Sequence, residues 1–403
     1  MTNLSIVVYI SHTMIDPTIQ SILLIGYAAY EMRHLLPDFI RETAHCLMVC
    51  RTAVLGGHTQ ACPDGHHQRI WYNSCRHRMC PQCTYLQVQQ WLAKQKVRIL
   101  RCDHFHVIFT IPDELRFLWH FNTKLMTQIL FTCSRDTLFE LLGDKKYMGA
   151  KPGIIASFHS WTKTLLFHPH LHCLVTGCGL SSSGELRFAV KDFLLPYDLI
   201  KDTFRNHVRQ AVLKALNKEE LVLPDGMRPQ QVKNLMNKLG RKKWNVRICE
   251  KYPHGTGVLA YFARYLKGGP ISNSRIVEVT YSKVTFNIGR KKRELMTLPI
   301  DEFIHRFLQH ISQPNVVLVR SYGLYSQNKK GELQRCRELL GQEPIEEPEK
   351  IKWQDCFEDS NDHPELCPIC GKRLVMSATV KPFGMIPYPG VPPSLIPYLK
   401  EAA

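Results

Sequence analysis

Phe167-His168-Pro169-His170-Leu171-His172-Cys173-Leu174-Val175-Thr176-Gly177 decides how the rest of the chain is read. Histidines at alternate positions, running into apolar and β-branched residues with a glycine at the far end, fit an extended strand whose alternate side chains share a face. His170 and His172 then aim at one point, and two imidazoles held a strand repeat apart chelate one divalent ion. A third ligand has to come from a neighbouring strand. Gly153-Ile154-Ile155-Ala156-Ser157-Phe158-His159 has the pattern of such a strand and ends in His159, leaving residues 160–166 to reverse the chain. His159 is therefore the candidate, while His168 shares the face but precedes Pro169 at the irregular start of the strand. A rival pair, His104 and His106, heads another strand pattern at Asp103 to Thr110. Most strand histidines are surface or hydrogen-bonded core residues, and composition does not choose between the two pairs.

The 403 residues are enough for two or three domains with formed cores, and 44% hydrophobic with 22% charged residues places the chain in the globular class. A net charge of +17 favours a polyanionic partner, because neutralising phosphates releases counterions. The apolar run Ser21 to Tyr30 is far shorter than a bilayer span, and Ser5 to Ile10 lacks a basic flank or a cleavage site. A soluble, non-exported, cytoplasmic protein is expected. Fifteen cysteines, some in C-x2-C pairs, then indicate metal sites or free thiols in a reducing compartment rather than a disulfide framework.

Residues 11–50 carry a helical pattern, with Leu23, Leu24, Tyr27, Tyr30, Met32 and Leu36 recurring near the helical period. Cys62-Pro63-Asp64-Gly65-His66-His67 and then Cys75-Arg76-His77-Arg78-Met79-Cys80-Pro81-Gln82-Cys83 follow. Cys80 and Cys83 have zinc-knuckle spacing, Cys62 with His66 or His67 can supply the other half, and Cys75 competes as a ligand. Arg76 and Arg78 stand where they can meet phosphate. A helix is expected from Thr84 to about Leu100, a strand from His104 to Ile111, and a helix from Glu114 to about Leu142. Helices are expected again over Leu199 to Leu216 and Met227 to Leu239. Helices and antiparallel hairpins intermix, which predicts an α+β fold with a central antiparallel sheet flanked by helices.

Gly257 to Lys267 has no breaker until Gly268-Gly269-Pro270 ends it, so a short helix is expected with Tyr261 and Tyr265 four apart on one face. A phenol with its normal pKa of about 10 is a poor nucleophile, and needs a metal or a base nearby to attack phosphorus. Arg275 to Asn287 alternates like a strand pair, Pro299 to Ile311 is amphipathic, and Val316 to Tyr325 gives one more strand. Glu343 to Lys350 has the composition of a linker. Cys367-Pro368-Ile369-Cys370 is a second half-knuckle, a possible second zinc site with Cys356 and His363 as partners, and the tail beyond Val380 is proline-rich and irregular.

In their order these stretches resemble the rolling-circle insertion-sequence transposases, the HUH two-tyrosine family with an N-terminal zinc-binding domain. The resemblance also takes in Arg51-Thr52-Ala53-Val54-Leu55-Gly56-Gly57-His58, Phe105 to Pro112, Pro270-Ile271-Ser272-Asn273 and Glu302-Phe303-Ile304-His305-Arg306-Phe307, and so covers roughly residues 40–340. Where many members have a second cysteine three residues after the first, this chain has Gly65, then His66 and His67.

The resemblance implies an N-terminal helical zinc-binding domain (1–100), an HUH-type catalytic domain carrying the tyrosine helix (101–340), and a linker with the second knuckle and tail (341–403). It makes His170 and His172, with His159, the site of a catalytic Mg²⁺ or Mn²⁺. It makes Tyr261 and Tyr265 the nucleophiles, and assigns structural Zn²⁺ to four of Cys62, His66, Cys75, Cys80 and Cys83. Arg76, Arg78, Arg264 and Lys267 become DNA contacts. The implied reaction is nicking and rejoining of single-stranded DNA through a 5′-phosphotyrosine. A replication-initiator nickase and a non-catalytic zinc-dependent DNA-binding protein are the alternative readings.

Overall fold

The histidine-rich stretch is the middle of an antiparallel sheet. In the computed structural model, which describes residues 15–190, 194–254, 259, 262, 268–289, 292–357 and 363–383, helices α1 (Ile19–Glu31) and α2 (Asp38–Val49) come first. The hairpin β1 (Gly57–Ala61) and β2 (Gln68–Tyr72) and helix α3 (Tyr85–Arg98) follow. Next are β3 (His104–Thr110), α4 (Arg116–Phe121), α5 (Thr123–Gly143), β4 (Lys151–Trp161), β5 (Phe167–Leu180), β6 (Leu186–Phe188), α6 (Tyr197–Asn217), α7 (Pro229–Gly240) and β7 (Asn245–Tyr252). A meander of β8 (Ile276–Val279), β9 (Lys283–Asn287) and β10 (Leu295–Pro299) leads into α8 (Ile300–Leu308), β11 (Val319–Gly323), α9 (Lys330–Leu339) and β12 (Val375–Val380).

β11, β4, β5, β3 and β7 lie side by side in that order, each pair antiparallel, with β6 paired to the far end of β5. One face presents Phe105, Val107, Phe109, Ile154, Ala156, Leu171, Cys173 and Val175 to α5 and α6. Fully burying a side chain of this size stabilises the fold by roughly 1.5–3 kcal/mol, so this face holds the sheet in place. The other face carries Ile155 and Leu174, packed under Leu259, Phe262, Tyr325 and Leu333, and it is also the histidine face. The α+β architecture with a helix-flanked antiparallel sheet is the one the sequence pattern predicts.

The single helix expected from Glu114 to Leu142 is instead two, α4 and α5, broken at Asn122. Its amide nitrogen donates to the carbonyls of Leu118 (2.9 Å) and Val222 (2.7 Å), and its oxygen accepts from Val222 N at 2.8 Å. An asparagine that satisfies distant backbone groups in this way competes with the helical ladder.

The first two helices pack on a later part of the chain. α1 and α2 share a core with Ile271, Ile276, Val284, Phe286, Leu298 and the α8 residues Phe303, Ile304 and Phe307. At Gly26 a Cβ would stand 2.7 Å from Ile304 Cδ1, so the α1–α8 approach requires the missing side chain. Tyr30 and His305 are hydrogen-bonded across it at 2.9 Å. The carboxy-terminal segment, expected as a tail with a separate knuckle, also returns here: β12 pairs with β1 to complete the sheet β12-β1-β2. Among the described residues no helix is long and apolar enough to cross a membrane.

Candidate catalytic site and metal centres

The β4–β5 register sets His159 directly opposite His170 and Ser157 opposite His172. Directly opposed residues share a face, and the ligand nitrogens of His159, His170 and His172 lie within 4.8 Å of one another. Ring centroids are 4.3 Å apart for His159 and His172, and 4.9 Å for His170 and His172. The β4–β5 ladder shifts register immediately after His159, a bulge of the kind that re-aims a side chain beside a site.

Burial keeps His159 and His170 neutral. His159 is 2% exposed, and burial drives its pKa well below the ordinary histidine value. Burial likewise lowers His170 to about 4, although the His168 carbonyl works in the opposite direction. That carbonyl can only accept, so at 2.6 Å it takes a hydrogen bond from His170 Nδ1–H and leaves the lone pair on Nε2. His168 itself is turned away, with its Nδ1 3.7 Å from Asp113.

The rival pair divides. His104 has both nitrogens engaged: Nδ1 donates to Cys102 O (2.8 Å), and Nε2 accepts from Tyr325 OH (2.8 Å). It has no lone pair left for a metal ion. His106 belongs to the site in a supporting role, its Nε2 standing 2.7 Å from His172 Nδ1. Sequence reading left His106 as part of the rival pair; the signal that joins it to His172 is the β3–β5 register, with His106 opposite Leu174, which local pattern does not encode.

Leu259 and Phe262 are helical and buried. The Phe262 ring meets His106 edge-on at 5.8 Å and His172 at 6.1 Å. Tyr261, Arg264, Tyr265 and Lys267 lie outside the described residues.

Among the described residues the ligands form two clusters, divided differently from the expected sets. Cys75, Cys80 and Cys83 are joined by Cys50 and not by Cys62 or His66, with all four sulfurs within 4.8 Å. Cys80 and Cys50 sulfurs are 3.5 Å apart, and those of Cys75 and Cys83 3.7 Å. The Cys50 and Cys75 thiols beside Cys80 hold its pKa below the ordinary value. Cys50 follows the last residue of α2, and Gln20 clamps that helix end by donating to the carbonyls of Met48 (2.7 Å) and Cys50 (2.8 Å). The same Gln20 accepts from Gln82 of the knuckle at 3.1 Å. Four thiolates at this spacing suit a closed tetrahedral zinc site.

Cys62 and His66 stand instead with Cys367 and Cys370. The reason is β12, which brings the second knuckle against the β1–β2 turn. The partners expected for Cys367 are elsewhere: Cys356 Sγ contacts Lys352 O at 3.8 Å, and His363 Nδ1 accepts from Glu365 N at 3.2 Å. Arg76 is exposed, with φ of 53°. Arg78, also expected at DNA, points inward and donates to Val316 O at 3.0 Å.

Residues 153–332, from β4 into α9, match a family described as "Putative transposase", and residues 22–111 match a "Transposase zinc-binding domain". The chain belongs to this transposase family, a class of DNA-processing enzymes with a zinc-binding amino-terminal region. It is 33% identical over 367 residues to the "Putative transposase y4qJ" of Sinorhizobium fredii, covering 87% of this chain and 92% of that one. It is 26% identical over 372 residues to the transposase for insertion sequence element IS801 of Pseudomonas savastanoi pv. phaseolicola, with 86% and 85% covered. No solved structure matches the chain.

Proposed function

We propose that this transposase nicks and rejoins single-stranded DNA at insertion-sequence ends by rolling-circle transposition, with Tyr261 or Tyr265 as nucleophile. The phenol oxygen bonds to phosphorus as the P–O3′ bond breaks, giving a 5′-phosphotyrosine. The 3′ oxygen leaves with the bonding pair and takes up a proton in place of the one the phenol loses. The bond energy is kept in the ester, so a second strand's 3′-OH reseals it without ATP. A second tyrosine in the same segment can accept the next strand.

The observation that carries this reading is the packing of Phe262, between the two tyrosines in sequence, on the histidine face against His172. His159, His170 and His172 fit a divalent ion because three imidazoles converge there, His159 and His170 neutral, and His170 is only partly covered. When bound, Mg²⁺ or Mn²⁺ stabilises the charge that builds on the scissile phosphate. His106 orients His172, Leu259 and Phe262 exclude water from that side, and the exposed Arg76, with Arg264 and Lys267, meets the DNA backbone.

Incubation with labelled single-stranded end DNA and Mn²⁺ tests the reading. A covalent protein–DNA adduct that survives denaturation is expected, lost in Tyr261→Phe/Tyr265→Phe and in His170→Ala. An adduct that persists in the double tyrosine variant refutes the nucleophiles, and one that persists in His170→Ala refutes the metal site.

A further inference from the structure

We propose that Cys62, His66, Cys367 and Cys370 hold a second structural zinc ion, which fastens the carboxy-terminal knuckle to the β1–β2 turn and makes one zinc ribbon from the two ends of the fold. The four donor atoms lie within 4.8 Å of one another. Cys62 Sγ is 3.5 Å from Cys370 Sγ and 3.9 Å from His66 Nδ1. With Zn–S near 2.3 Å and Zn–N near 2.0–2.1 Å, a tetrahedron has S–S edges of about 3.8 Å and S–N edges of about 3.6 Å. The separations match those edges and exceed a disulfide bond, which is about 2.05 Å. Three thiolates and an imidazole select zinc over the hard, oxygen-preferring ions.

The two turns share one construction. In each, a cysteine is followed by proline, and the turn closes through a glycine in the left-handed region, Gly65 (φ 75°) or Gly371 (φ 71°). Gly65 N donates to Cys62 O at 2.9 Å, and Gly371 N donates to Cys367 O at 2.8 Å. Cys62 N donates to His67 O and Cys367 N to Lys372 O, both at 2.8 Å. Across the pair Lys372 reaches Asp64 at 2.7 Å. Zinc with three thiolates and a neutral imidazole carries one net negative charge.

The apolar core of this sheet is small. Its buried apolar cluster is Cys62, Cys367 and Leu374, and β12 is exposed from Val375 to Thr379. A three-stranded unit with so small a core needs a metal to fold. The first cluster, Cys50, Cys75, Cys80 and Cys83, is complete by itself and takes no ligand from the ribbon.

The full chain, purified with zinc and desalted, is compared with Cys367→Ser/Cys370→Ser by elemental analysis. The variant is expected to carry one zinc fewer per chain; equal zinc content overturns the proposal. Because the serine variant can lose its fold, His66→Cys provides a second measurement, since it keeps four soft donors. In the cobalt-substituted protein, His66→Cys is expected to intensify the sulfur-to-cobalt charge-transfer band by about one thiolate's share. An unchanged cobalt spectrum overturns the proposal. Neither readout depends on the tyrosines or on DNA cleavage, so failure here is distinct from failure of the strand-transfer mechanism.

Discussion

His106 Nε2 lies 2.7 Å from His172 Nδ1, so the setting of the His172 ring depends on β3 as well as on β5. A hydrogen bond to the far nitrogen of a metal ligand fixes its tautomer and its ring orientation, and losing such a partner typically costs 10- to 100-fold in metal affinity. His106→Ala should therefore raise the Mn²⁺ concentration for half-maximal adduct formation by about that factor. His106→Gln, which keeps a hydrogen-bonding group, should recover part of the loss. An unchanged Mn²⁺ dependence would show that His172 is oriented by something else.

Tyr325 is fully buried, donates to His104 Nε2 at 2.8 Å and accepts from Leu100 N at 3.0 Å. Tyr325→Phe leaves both partners unsatisfied at a cost of about 1–3 kcal/mol each. A lower thermal midpoint is expected with DNA cleavage intact at low temperature. A midpoint equal to that of the unaltered chain would mean the hydroxyl contributes nothing.

Burial lowers both His104 and His310 to about 4, and each is hydrogen-bonded as a neutral ring. The unfolded chain, whose histidines titrate near 6.5, takes up protons that the folded chain refuses until about pH 4. The unfolded state thus binds more protons between these values, and stability rises with pH across that interval. The contribution is complete above about pH 6.5 and is lost as pH falls towards 4. Midpoints measured from pH 7.5 to 5 should fall, and His310→Gln should flatten that slope.

Cys50→Ser should remove the zinc of the four-cysteine centre and loosen the hold of α2 on the Cys80–Cys83 knuckle. Cys46→Ser, one helical turn earlier and outside the cluster, should leave the zinc content unchanged. Full zinc content in Cys50→Ser would assign the fourth ligand elsewhere.

The sheet was legible because its evidence is local. Alternation from Gly153 to His159 and from Phe167 to Val175 marks two strands, and the short span between them forces a hairpin that opposes His159 to His170. Cys50 was not legible: it stands 25 residues before Cys75, at a helix end that only the packing of α1 on α2 carries to the knuckle. The pairing of β12 with β1 was hidden for the same reason. Val375 to Val380 is short and mostly exposed, and its partner lies in a distant part of the chain. Strand pairing over such a separation leaves no period in either segment.

The β12–β1 pairing also sets an order of events during synthesis. Cys62 leaves the ribosome 308 residues ahead of Cys370, an interval of about 15 to 60 s at ordinary bacterial elongation rates of about 5–20 residues per second. Until β12 has been made, the β1–β2 hairpin waits with an open edge. A polypeptide that stops short of β12 never closes it, so only a copy that carries β12 forms the whole β12-β1-β2 sheet.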